Sequence, residues 1–103
     1  MVTIRRGTTP TIVLNIDDVE HMEEFSKWFV AIKQDSVEIV KTDEQIEIEG
    51  NSLKVRLSQE ETLRYKQSEV EVQIRALTNT GVAIASDIKK FCFGRILQNG
   101  VIE

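Results

Sequence analysis

Residues 45–56 constrain this chain more than any other stretch, because turn, faces and charges select a single register. Gly50-Asn51 supplies the positive φ angles of a tight turn between two strands. Symmetric pairing about that turn sets Ile48 opposite Leu53 and Ile46 opposite Val55 on one face. On the other face Glu47 meets Lys54, which predicts a cross-strand ion pair on the wet side. A one-residue slip would oppose Ile48 to Lys54 and bury charge, so the hairpin has no equivalent alternative.

The same alternation recurs along the chain. Residues 1–6 predict a short strand, punctuated by Gly7-Thr8-Thr9-Pro10. Residues 11–16 place Ile12, Leu14 and Ile16 on one face. Residues 17–24 hold Val19 and Met22 at helical spacing behind an Asp N-cap, so a short helix and a loop compete there. Trp28, Val30 and Ile32 face one way from the next strand, with Phe29 and Ala31 on its other side, as in a central or covered strand. Asp35-Ser36 turns the chain, and Val37, Ile39 and Lys41 then oppose Glu38 and Val40.

Ser58 and Glu61 have capping-box spacing, which predicts a one- or two-turn helix near residues 59–65 with Leu63 tucked beneath the sheet. Residues 69–77 form the cleanest strand, with Val70, Val72, Ile74 and Ala76 inward. A three-residue loop at Asn79-Thr80-Gly81 opposes Ala76 to Ile84 and Val72 to Ile88. Phe91 and Phe93 fall on the opposite parity. They predict a bulge or bend near Lys89-Lys90, where the strand crosses from one sheet to another. A last turn at Asn99-Gly100 precedes Val101-Ile102. About eight short antiparallel strands and one short helical turn predict an all-β sandwich or barrel, with residues 1–103 as a single domain.

Composition narrows the function classes. The chain is 41% hydrophobic, enough for a core without metal or disulfides at 103 residues. Net charge is −4, and no basic stretch interleaves with aromatics, so nucleic acid is not an expected partner. No apolar run reaches membrane-span or signal-peptide length, so no membrane partner is expected. Cys92, the one cysteine, excludes an internal disulfide and fits synthesis in a reducing cytoplasm.

Chemistry-bearing constellations are sparse. His21 stands among Glu20, Glu23 and Glu24 without a partnered nucleophile, and reads as a solvated loop histidine. Asp17, Asp18, Glu20, Glu23 and Glu24 lack the spacing and glycine of a calcium loop. Cys92 lies between two phenylalanines with only Lys89 and Lys90 as nearby activators. Trp28 and Tyr65 would make a sugar-stacking platform if exposed, but Trp28 shares the parity of core residues. The expectation is a non-enzymatic protein with no cofactor, no metal and no catalytic residue.

Three stretches read together carry a resemblance: Ile4-Arg5-Arg6-Gly7-Thr8-Thr9-Pro10, Val55-Arg56-Leu57-Ser58-Gln59-Glu60-Glu61-Thr62-Leu63, and Val72 through Val82-Ala83-Ile84-Ala85-Ser86. They resemble small tail-associated proteins of phages and prophages of Gram-positive bacteria. Those proteins are similar to the N-terminal immunoglobulin-like domain of phage upper baseplate proteins. The closing residues 94–102 fit the same pattern. The resemblance implies an immunoglobulin-like β-sandwich serving as a structural or assembly module, made in the host cytoplasm and carried on the virion tail or baseplate. Its partners would be other tail or baseplate proteins, and a homo-oligomer is possible. Expected contact residues are Arg5 and Arg6 beside the opening strand and Val101 and Ile102 near the end. The alternative is a carbohydrate-binding sandwich that assists attachment to the host cell wall.

Overall fold

A computed structural model describes residues 2–16 and 24–103. The helix-or-loop segment at 17–24 therefore lies outside the described residues except for Glu24, as do His21 and the carboxylates Asp17, Asp18, Glu20 and Glu23. Among the described residues the chain folds into nine strands and one helical turn. In chain order these are β1 (Thr3–Arg5), β2 (Thr11–Asn15), β3 (Phe25–Gln34), β4 (Val37–Thr42), β5 (Ile46–Glu49) and β6 (Ser52–Arg56). Helix α1 (Gln59–Leu63), β7 (Glu69–Thr78), β8 (Ala83–Ala85) and β9 (Lys89–Gly94) follow. A 3-10 turn at Asp43–Gln45 links β4 to β5.

Two sheets enclose one core. The larger runs β1-β9-β7-β3-β4, with β8 also on β7, and the smaller runs β2-β6-β5. The second, sixth and fifth strands thus occupy the B-E-D positions, and the ninth, seventh, third and fourth the G-F-C-C′ positions, of an immunoglobulin-like sandwich. Inward aliphatics at every second position make this packing possible. Val30, Ile32, Leu53, Val55 and Val70 have no exposed surface at all, and each such side chain contributes roughly 1.5–3 kcal/mol of transfer free energy. Trp28 also lies in this core.

The hairpin β5-β6 takes the expected register: Ile46 with Val55, Glu47 with Lys54, Ile48 with Leu53. Of its two turn residues only Gly50 has a positive φ, 58°, which matches a turn with glycine at its first central position. The ion pair on its wet face forms diagonally. Lys54 Nζ donates to Glu49 Oε2 rather than to Glu47 directly opposite, a diagonal neighbour within reach of long side chains.

Three features depart from the sequence expectation. First, not every pair is antiparallel: β1 runs parallel to β9, with Thr3 beside Cys92 and Ile4 beside Phe93. A parallel pair needs a long crossover, and here nearly the whole chain supplies it, so local turn chemistry could not announce it. Second, the parity change falls earlier than Lys89-Lys90. Ala76 pairs Ile84 as expected, yet Val72 pairs Lys89, one residue beyond Ile88. Ser86 bridges the offset: its Oγ accepts from Ile74 N–H at 2.9 Å, and its own N–H donates to Ile74 O at 2.8 Å. Third, β9 stays on β7 instead of crossing to the other sheet. Burying Phe91 and Phe93 requires only the one-residue slip, and Ile88 is left exposed.

Candidate functional site

Most polar chemistry inside the sandwich gathers where α1 meets the large sheet. The capping box forms as its spacing predicts: Glu61 N–H donates to Ser58 Oγ at 3.1 Å, and Ser58 N–H to Glu61 Oε1 at 2.9 Å. The other carboxylate oxygen of Glu61 receives Lys41 Nζ at 2.7 Å. Lys41 lies on the inward parity of β4 and is buried, with 7% of its surface exposed. An inward lysine on an otherwise apolar face was the sequence signal for such a partner, since a buried ammonium needs a countercharge. Burial pushes the Glu61 pKa up, but the hydrogen bonds from Lys41 and Ser58 and the Lys41 charge outweigh it, leaving the carboxyl below its ordinary value.

Tyr65 and Gln34 complete this corner. Tyr65 is fully buried, stacks on Phe93 at 4.9 Å, and donates its hydroxyl to Ile32 O at 2.6 Å. Burial raises its phenol to about 12. Gln34 accepts from Lys66 N–H at 2.7 Å and donates to Lys66 O at 3.0 Å, pinning the chain before β7. Each group has a partner, so the corner acts as a structural clasp that holds α1 and the loop after it on the large sheet.

Arg6 belongs to the same clasp. Its Nε donates to Tyr65 O, its Nη2 to Leu63 O at 3.0 Å, and its Nη1 to Asn99 Oδ1 at 3.0 Å. It covers carbonyls that α1 leaves unpaired at its end. The neighbouring Arg5 is exposed and donates to Arg95 O at 3.2 Å. Val101 and Ile102 lie in an extended tail outside any strand, and Ile102 is 74% exposed. The Gln59 side-chain amide holds the Ile102 backbone at both its N–H and its C=O, at 2.8 and 3.0 Å. The four expected contact residues thus do not form one site: Arg6 caps the end of α1, Ile102 is held at its first residue, and Arg5, Val101 and Ile102 reach solvent.

The sugar-stacking platform loses its basis, since Trp28 and Tyr65 are both core residues. Cys92 is half-buried in β9. Among the described residues no group of three or more His, Cys, Asp or Glu could hold a metal ion, and no helix is long and apolar enough to cross a membrane.

What remains open is backbone edge and sheet face. Among the described residues the smaller sheet ends on β2. Leu57 N–H donates to Pro10 O and Ile16 N–H to Asn51 O, so the even-numbered residues of β2 turn toward β6. The N–H and C=O groups of Thr11, Val13 and Asn15 therefore point to the free edge. Beside this edge the inner face of the large sheet is partly uncovered: a groove of about 360 Å³ is lined by Ile16, Trp28, Ile74, Ala76 and Ile84, with Asp87 and Lys89 also in its wall. Comparison with known proteins adds no identity: no family model, no curated protein and no solved structure matches this chain.

Proposed function

We propose that this protein is a non-enzymatic structural module of a phage or prophage tail, docking on other tail or baseplate proteins by accepting a strand along β2. The observation that carries the docking reading is the edge of β2, where the backbone groups of three residues have no partner strand among the described residues and lie beside an apolar groove. Such an edge templates strand addition, in which backbone bonds give affinity and alternate side chains give specificity. The phage assignment rests on the resemblance of residues 4–10, 55–63, 72–86 and 94–102. The carbohydrate reading is set aside because its two aromatic residues are buried.

The test has two arms. Particles induced from a host carrying the gene are purified and their tails analysed by mass spectrometry, with and without the gene. The chain is expected in the tail fraction, and its loss is expected to halt or misassemble the tail tip. The second arm substitutes Val13→Pro. Proline is tolerated on an edge strand whose N–H faces solvent, so the variant folds but loses an edge donor and fails to complement assembly. Normal particles in both arms would overturn the proposal.

A further inference from the structure

The outer face of the large sheet carries a pattern that the strand-addition reading does not use. The registers of β4, β3, β7 and β8 arrange it in four rows. The first row is Glu38-Lys33-Glu71, the next Val40-Ala31-Gln73, then Thr42-Phe29-Arg75-Ala85, and last Lys27-Leu77-Ala83. The middle is apolar and open to water: Val40 is 43% and Phe29 36% exposed, above a shallow depression of about 380 Å³. One end is net acidic: Glu38, Glu71 and Glu69 stand there among Lys33 and Lys90, with Lys90 directly beside Glu71 on β9 and paired with Glu69. The other end holds Lys27 and Arg75 with no acidic neighbour in register, and neither enters an ion pair among the described residues.

An apolar centre with opposite charge at opposite ends is self-complementary. In a two-fold interface each residue i meets residue j and each j meets i. A two-fold axis lying in the contact plane, diagonal to the strands, passes through the Phe29–Val40 region. It carries the Glu38 corner of one copy over the Arg75 corner of the other. An axis along or across the strands instead stacks Lys33 on Lys33, or Lys27 on Lys33, so charge selects the diagonal.

We infer that this face binds a second copy of the chain, with Phe29, Ala31 and Val40 at the centre and Glu38 of each copy paired with Arg75 of the other. The patch spans three strands and four rows, about 14 by 20 Å from strand spacing and rise. That size belongs to a weak, reversible contact rather than an obligate one. It lies on a different surface from β2, so the inference stands or falls independently of strand addition.

Sedimentation velocity of the full chain over a concentration series tests it. The expected result is exchange between the 11.8 kDa monomer and a dimer of twice that mass. Glu38→Arg and Arg75→Glu each weaken the dimer about tenfold or more, and the two together restore it. Circular dichroism checks that each variant is folded, as exposed sites on two strands allow. Val13→Pro leaves the dimer unchanged. A chain that stays monomeric at every concentration would overturn the inference. So would a dimer indifferent to both charge reversals, or one that the double reversal fails to rescue.

Discussion

Two lysine–carboxylate pairs sit near turns in this molecule and do different work. Lys54 and Glu49 join on the outside of the β5-β6 hairpin. Lys41 and Glu61 join where α1 meets the large sheet, with the lysine side chain 9% and the glutamate side chain 25% exposed. Each exposed partner can return to water at little cost, so the outer pair decorates a register already set by Ile46, Ile48, Leu53 and Val55. The inner pair cannot. Removing one partner strands a charge, which makes the pair a requirement of the fold once Lys41 points inward.

Substitutions at the inner pair should break this contrast most visibly. Glu61→Ala is expected to destabilise by about 2–4 kcal/mol, since it strands the Lys41 ammonium and removes half of the capping box. Urea denaturation measures it. Lys41→Met should cost clearly less, because a thioether suits the same space and Glu61 can reach water while keeping its Ser58 bond. Equal losses in the two variants would mean that the cap, not the stranded charge, carries the effect. Glu61 also sets an acid limb. Its folded pKa is depressed, so its contribution is fully present above the unfolded carboxyl value and is lost as pH falls through the folded value. In Lys41→Met that limb should shrink.

Tyr65 sharpens the comparison from the alkaline side. Tyr65→Phe removes the buried hydrogen bond to Ile32 O, a carbonyl within the sheet ladder, and should cost about 0.5–1.5 kcal/mol. The phenol pKa is raised from 10.0 to about 12 in the folded chain. Its contribution is therefore intact below the unfolded value and lost as pH rises through the folded one. Wild-type stability should fall across that window while Tyr65→Phe, with no phenol to ionise at this position, stays flatter. The smallest effect belongs to the outer pair: Glu49→Ala should leave the urea midpoint unchanged within error, and the β5-β6 register intact by amide chemical shifts.

How much was legible depended on how far apart the interacting residues lie in the chain. Ser58 and Glu61 are three residues apart, and their reciprocal bonds follow from that spacing alone. The β5-β6 register likewise closes over a two-residue turn. The diagonal choice of Lys54 for Glu49 was not legible, because cross-strand parity fixes which residues share a face but not which rotamer wins. Arg6 was read as a contact residue for a partner. Its guanidinium instead spans Leu63, Tyr65 and Asn99, residues brought together only by the closed sandwich.

Alternation, turn residues and one capping box were enough to determine an all-β chain with inward Val, Ile and Leu, because those signals act over a few neighbouring residues. Only the tertiary structure decided that β1 lies parallel to β9, that Ser86 absorbs the parity change, and that Lys41 finds Glu61 where α1 meets the large sheet. Those outcomes depend on loop closures spanning much of the chain, where what is decisive is the space left once both sheets have packed, and no local sequence pattern encodes that space.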